Sequence, residues 1–374
     1  MTNPLTICFA GTFEWEANLR RDVHRLFEGL AARGHRLVYV EPATPFGRPA
    51  PALVRPVPSS PSITLVTPRT IRGQRITPIG TANAALERRA LRKAWDLLGL
   101  PEPDVVMVHS ARRAFYWYVF RSSLRVWRNY DFVGDPEEAA RMAERADVVL
   151  TTSPRYARLR AFGDAKTRYL PNTCDELSAT ASGRGEEHPG PPLVGTMGTF
   201  GATMDLDLLG RLTRACRTVG FLFQGIMGDA SVTRSEVLER LSGPHVELIE
   251  RRDSDLGAVE GFLRRIRVGL CPYGRTEWNL FAAPSKLLAF LRAGLPVITT
   301  DFSPDSLEAF RALPGVFVVN DQEEACRAIP VALEAGRDPE VVGRLTEAAQ
   351  PYLASNVAIE FERLVADALL TGSA

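Results

Sequence analysis

The sequence predicts an α/β protein built from two doubly wound domains, and three observations predict it. Its 374 residues exceed one ordinary domain and suit two units of about 150–190 residues each. Short apolar runs that read as buried parallel strands alternate with segments of helical period. One stretch without large apolar residues, Ser178 to Pro192 (SATASGRGEEHPGPP), breaks the alternation, which then restarts.

In order along the chain, Leu5–Ala10 is an apolar run closed by Gly11, as expected of a buried strand feeding a turn. A helix is expected from about Glu16 to Arg33. Leu19, Val23, Leu26, Phe27 and Leu30 recur there at spacings of three and four, with Gly34 just past the end. Leu37–Val40 is the next strand, completing a right-handed βαβ unit. Pro42 to Pro61 is Pro-rich and aperiodic, and reads as a long loop. Asp104–Val108 and Asp147–Leu150 are further strands. Between them Asp135-Pro136-Glu137-Glu138 opens a helix with an acceptor at N-cap, proline at N1 and glutamate at N3. After the linker, strands are expected at Leu193–Met197, Gly220–Phe223, Val246–Ile249, Val268–Cys271, Pro296–Thr299 and Val316–Val319. From about Pro330 the chain is helical. The expected domains are therefore 1–177, a linker at 178–192, and 193–350. A C-terminal helix (351–374) packs back on the first domain.

Composition narrows the function. A net charge of +1 gives no field to hold a polyanion, so nucleic acid is excluded as a default partner. The five cysteines (Cys8, Cys174, Cys216, Cys271, Cys326) show no C-x-x-C pair and no zinc spacing. This points to a reducing cytoplasm, with no structural metal and no metal cofactor. The first residues have no basic stretch followed by an apolar one, so no signal peptide is expected, and no run of 18 apolar residues occurs. Peripheral contact at the inner face of a membrane stays open. The glycines at 195, 198 and 201 are spaced G-x-x-G-x-x-G, which is not a dinucleotide fingerprint, and neither a P-loop nor a G-x-S-x-G elbow occurs. Only three of the 45 basic residues are lysines (Lys93, Lys166, Lys286), so a lysine here is more informative than an arginine.

The segment Val268–Thr300 (VGLCPYGRTEWNLFAAPSKLLAFLRAGLPVITT) reads as strand, polar loop, helix, glycine turn, strand. The helix begins near Pro284, and its free first-turn N–H groups with Lys286 make a phosphate-binding end. Pro284-x-Lys286-Leu287-Leu288 followed by Ala293-Gly294-Leu295-Pro296-Val297-Ile298 resembles the P-x-K-L-x-E-Y-L-A-x-G-x-P-V-V signature of GT-B glycosyltransferases of the family 4 kind. Ala146-Asp147-Val148 through Ser153, then Leu170-Pro171-Asn172-Thr173-Cys174-Asp175, is similar to the family's A-D-x-V-x-x-x-S and I-P-N-G-V-D. Val194-Gly195-Thr196-Met197-Gly198 is similar to the start of its donor domain. Arg33-Gly34-His35 resembles its first βαβ unit, and Asn129-Tyr130-Asp131 with Asp135 is a partial match to Y-D-x-x-D-D.

The resemblance implies the GT-B fold, two Rossmann-like doubly wound domains facing each other across a cleft. It also implies transfer of a hexosyl group, with retention of configuration, from a nucleotide-diphosphate sugar to a carbohydrate, lipid-linked or small-molecule acceptor, without a metal. Carried over, the donor meets Gly198, Thr199, Pro284, Ser285 and Lys286, with Arg252 and Glu277 as further candidates and Arg251 and Arg275 beside them. Strand ends of the first domain face the cleft with Gly11, Thr12 and Phe13, and with Glu14 and His109 as candidate acid, base or sugar-binding groups. The family glutamate three residues after the lysine is Ala289 here, and Phe281 stands where a partner glutamate is often found. Two alternatives therefore stay open: a non-catalytic GT-B relative with an altered donor site, and a nucleotide-sugar epimerase. The aromatic run Phe115–Phe120 reads as core or as an acceptor or lipid surface, and Arg69, Arg72 and Arg75 as candidates for an anionic acceptor.

Overall fold

The computed structural model describes residues 3–15, 21–72, 77–121, 123–130, 133–164, 166–177, 191–251, 256–283 and 285–371. The expected linker lies outside them except for its last two residues. The described residues sort into two compact units. One draws on Met1–Ala17, Val23–Pro171 and Ala354–Ala374, the other on Asn18–Asp22 and Asn172–Leu353.

The first unit holds β1 (Thr6–Ala10), β2 (Arg36–Val40), β3 (Thr44–Pro45), β4 (Val54–Val57), β5 (Ser60–Val66), β6 (Arg69–Thr70), β7 (Val105–Val108), β8 (Leu124–Asn129), β9 (Val148–Thr151) and β10 (Thr167–Tyr169). Its helices are α1 (Asp22–Ala32), α2 (Thr77–Leu98), α3 (Pro136–Arg145), α4 (Pro154–Leu159) and the C-terminal helix Ala354–Thr371, with a 3-10 turn at Ala111–Tyr118. The main sheet runs β10-β9-β8-β7-β1-β2-β5-β4, parallel except for β4 against β5. Setting that edge strand aside, the order is 3-2-1-4-5-6 with one strand added beyond, so the direction of winding reverses between β1 and β7.

Burial explains why these segments fold this way. All of β1 is buried, as a strand covered on both faces must be. Its Ile7 and Phe9 pack with Val23, Leu26, Phe27 and Leu30 of α1 and with Val357, Phe361 and Leu364 of the C-terminal helix. Each such side chain contributes about 1.5–3 kcal/mol by leaving water. His35 ties the same helix down: its Nδ1 accepts from the Leu5 N–H at 2.9 Å and its Nε2 meets Glu362 Oε1 at 2.7 Å, beside an Arg33–Glu362 ion pair. Asp135 caps α3 as expected, accepting from the N–H groups of Glu137 and Glu138 at 3.0 Å.

Two expectations are corrected here. The stretch Pro42–Pro61 is not one loop, because it carries β3 and β4. Strand β4 contains Pro56, tolerated because an edge strand needs ladder bonds on one side only, and its weak burial leaves no apolar run to read. The cysteines are not all free thiols. Cys216, at the end of one helix of the second unit, and Cys326, within another, form a disulfide with Cα atoms 6.2 Å apart. At a sequence separation of 110, only the packing of those helices brings them together. Cys8 and Cys271 are buried thiols, as expected.

The second unit has β11 (Leu193–Phe200), β12 (Gly220–Met227), β13 (Val246–Glu250), β14 (Val268–Cys271), β15 (Val297–Thr300) and β16 (Val316–Val319). All are parallel, in the order β13-β12-β11-β14-β15-β16. This is again 3-2-1-4-5-6, with the reversal between β11 and β14. The helices are α5 (Leu206–Ala215), α6 (Arg234–Leu241), α7 (Leu256–Arg265), α8 (Glu277–Leu280), α9 (Ser285–Arg292), α10 (Pro304–Leu307), α11 (Gln322–Ala335) and α12 (Pro339–Ala349). One core lies on each face of this sheet. Phe221, Phe223, Leu209 and Ile329 build the first, and Phe262, Leu287, Phe290 and Leu291 the second. Among the described residues no helix is long and apolar enough to cross a membrane.

Candidate functional site

Open doubly wound sheets bind ligands outside the strand carboxyl ends where the order reverses. In the second unit that point lies between the ends of β11 and β14. Near the end of β11, Gly198 has φ of +120°, a conformation that side chains rarely adopt. A Cβ there would also stand 2.6 Å from Lys286 Cε, so the glycine leaves the space that the lysine fills. Lys286 lies in the first turn of α9, the crossover helix that follows β14. Its Nζ donates to Tyr273 Oη at 3.3 Å and sits 4.5 Å from the centroid of that ring. Tyr273, two residues past β14, was not singled out from the sequence. Strand-end position is the signal that could have found it.

The loop carrying Tyr273 is fixed by buried hydroxyls and an amide. Thr300 Oγ1 donates to Tyr273 O at 2.6 Å, and the Tyr273 ring packs on Phe302 with centroids 4.5 Å apart. Asn279 Nδ2 donates to Thr203 O and Gly274 O, each at 2.7 Å. Ser303 and Ser306 hold the carbonyls of Leu280 and Ala282 just before α9. A loop held at this many points presents its side chains in one geometry.

The electrostatics of the pocket are unbalanced. Among the described residues no carboxylate forms an ion pair with Lys286. Burial lowers the pKa of its ammonium to about 8, although the nearby Cys271 acts in the opposite direction. Burial also pushes the Cys271 thiol up to about 12, so it stays neutral and does not compensate the lysine. A desolvated cation without a counter-charge gains when an anion arrives.

The other donor candidates fall into three groups. Ser285 is exposed at the start of α9 and Thr199 is exposed near the end of β11, both beside Lys286 in the fold. Glu277 is the exposed first residue of α8, with no ion pair to Lys286 among the described residues. Arg252 and Pro284 lie outside the described residues. Of the neighbouring arginines, Arg275 Nη2 donates to Asn320 Oδ1 at 2.5 Å, and the Arg251 N–H donates to Gly225 O at 2.8 Å. Ala289, half-buried one turn beyond Ser285, offers no polar atom of its side chain.

The first unit has its own reversal point, between β1 and β7. Gly11 is buried there, and a Cβ on it would stand 2.0 Å from Tyr39 Oη. The Tyr39 phenol fills that space, and Arg113, from the 3-10 turn after β7, reaches the Gly11 backbone. Its Nε donates to Gly11 O at 3.0 Å, Nη2 to Glu41 O at 2.7 Å, and Nη1 to Glu87 Oε2 at 2.5 Å. Tyr116 Oη donates to the same carboxylate oxygen at 2.7 Å. Neither Arg113 nor Glu87 was foreseen, because their pairing spans 26 residues without a motif. The loop after β1 is strapped as well: Tyr39 Oη donates to Phe13 O, and the Trp15 N–H donates to Glu41 Oε1, each at 2.9 Å. Thr12 and Glu14 are exposed on this loop, and Phe13 is half-buried against His24 and Tyr39. His109, at the end of β7, has its Nδ1 3.3 Å from Arg128 O and its ring edge-on to Tyr130. These candidates are held by distinct local contacts. Asp131 and Arg75 lie outside the described residues, and Arg69 donates to Arg48 O with its guanidinium over Phe46. In the aromatic run Tyr116 and Trp117 are core, while Tyr118 is exposed.

No family model matches the chain, and no curated protein matches it. Solved structures do. Sucrose-phosphate synthase from Thermosynechococcus elongatus is similar with a TM-score of 0.74 at 15% identity, over 99% of this chain and 100% of its own. A glycosyltransferase from Rickettsia africae gives 0.69 at 11% identity, over 98% and 99%. HepE from Anabaena, in complex with UDP-glucose, gives 0.69 at 11%, over 97% and 100%. At such identities the likeness establishes the fold. The chain has the GT-B fold of two Rossmann-like domains.

Proposed function

We propose that the protein is a glycosyltransferase of the hexosyl-transferring kind, using a nucleotide-diphosphate sugar whose pyrophosphate is held by Lys286 and the first turn of α9. The observation that carries this reading is an uncompensated, partly desolvated ammonium at the reversal point of the second sheet. As the bond between the sugar's anomeric carbon and the phosphate oxygen breaks, negative charge grows on the leaving nucleoside diphosphate. Preorganised cationic and N–H groups placed at that charge lower the barrier. Lys286 supplies the charge, Gly198 leaves the room that the lysine side chain occupies, and Ser285 adds an exposed hydroxyl beside it. This arrangement serves a metal-independent departure.

In this reading the acceptor, a glycan, a lipid-linked sugar or a small molecule, meets Gly11, Thr12, Phe13, Glu14 and His109. Retention of anomeric configuration is the outcome the motif resemblance favours. Ala289 supports a second reading, a relative that binds a sugar nucleotide without turning it over.

One experiment separates the readings. UDP-, GDP- and dTDP-sugars are added singly, and melting temperature and free sugar are followed. Transferase function predicts a melting shift with one nucleotide class and slow donor hydrolysis. Binding without turnover selects the non-catalytic relative, a rearranged donor with no acceptor selects an epimerase, and no binding to any of them removes the proposal.

A further inference from the structure

The chain has three lysines, and the structure gives each a different surrounding. Lys93 is exposed on α2, an ordinary solvated ammonium. Lys166 Nζ donates to the carbonyls of Ala143 and Glu144 at 3.2 and 3.0 Å, near the end of α3, where the carbonyl-rich helix terminus favours the charged form. Lys286 has the neutral phenol of Tyr273 as its partner, lies across the face of that ring, and is in ion-pair contact with no carboxylate among the described residues. A phenol can accept from an ammonium or donate to a free amine. The pocket thus accommodates Lys286 in either protonation state, whereas the carbonyls around Lys166 require donors.

We propose that Lys286 is an acylation site, where an acyl phosphate docks its phosphate at the α9 tip and passes its acyl group to Nζ. The lone pair of the unprotonated amine adds to the acyl carbon. The bond from that carbon to the phosphate-side oxygen breaks, and inorganic phosphate leaves with the bonding electrons. Loss of one proton from nitrogen to solvent leaves a neutral amide. No oxidant or further reactant is needed. The lowered pKa supports the step: near neutrality about a tenth of Lys286 is free amine, against less than about a thousandth for an ordinary lysine. Acylation abolishes the positive charge of Lys286, so it weakens anion binding there. That consequence rests on the donor-site reading above, but the acylation itself does not.

The test treats the whole protein with acetyl phosphate near neutral pH and measures acetyl-lysine at all three positions by mass spectrometry. Lys286 should react about tenfold faster than Lys93 and Lys166, and UDP should slow Lys286 alone. The acetylated protein should bind UDP at least about tenfold more weakly. A rate at Lys286 no greater than at Lys93 overturns the proposal, even if UDP binds normally. Fast acetylation that UDP neither slows nor suffers from keeps the proposal and removes the donor-site reading. Lys286→Arg keeps the charge but has no acylable amine, so treatment should leave its own UDP affinity unchanged. A loss there assigns the effect to another lysine and also overturns the proposal.

Discussion

The two units place a cation at the same topological point, the carboxyl ends where each sheet reverses its winding, yet they treat it in opposite ways. Arg113 of the first unit is spent: Glu87 neutralises it, and Gly11 O and Glu41 O take two more of its donors. Lys286 of the second unit has a phenol and no paired carboxylate among the described residues. The strand order 3-2-1-4-5-6 creates both places. Polar satisfaction marks Arg113 as structural, and the lack of it at Lys286 is what the proposed anion site rests on. The comparison explains why a fold alone does not disclose a site.

The sharpest way to break this contrast is to remove the counter-charge where it is claimed to be structural. Glu87→Ala strands the buried Arg113 guanidinium and should lower stability by about 3 kcal/mol or more, read as a large fall in melting temperature. Lys286→Met removes a desolvated charge and should leave the melting temperature unchanged or slightly raised. Equal losses in the two variants would erase the distinction. A smaller effect is expected at Gly198. Gly198→Ala meets both a positive φ and the Lys286 side chain, so the lysine must swing away from Tyr273. Stability should drop by about 1–2 kcal/mol, and UDP affinity should drop with it in a binding titration.

The smallest effect is one of pH, and its sign follows from the depressed pKa. An anion prefers the ammonium form, so UDP affinity should be level well below pH 8 and weaken as pH rises through about 8, by at most about tenfold per unit. In the empty protein the sign is reversed. The folded-state pKa lies below the unfolded one, so charged Lys286 opposes folding near neutrality, and this opposition fades as pH rises from about 8 toward the unfolded value of about 10.4. The groups facing the amine are Cys271 and Tyr273. An affinity that rises with pH through this window would show that Lys286 is not the group being titrated.

Much of the fold was legible because parallel strands buried on both faces are written as short apolar runs, such as Ile7-Cys8-Phe9 and Val268-Gly269-Leu270-Cys271. Edge strand β4 was not, since Pro56 and half-exposed neighbours erase the pattern a buried strand would show. Gly198 and Lys286 were legible as a glycine past a strand and a lysine at a helix tip. Tyr273 was hidden in a polar loop, and it is held by Thr300 on the adjacent strand and by the Phe302 ring, both remote from it in sequence. Arg113 read as one arginine among many, because its role depends on Glu87 across the fold. The Cys216–Cys326 pair was likewise invisible, as local sequence carries no trace of two helices that pack across a sequence separation of 110. Local propensity writes elements into a chain, while long-range polar pairing does not.

The central claim is tested most directly by calorimetric titration of UDP into the wild-type protein and into Lys286→Met at neutral pH. The account predicts measurable binding to the wild type and a loss of about ten- to a hundredfold in the variant, worth roughly 1.5–3 kcal/mol, with no loss of melting temperature. Equal affinity in the two proteins would contradict it.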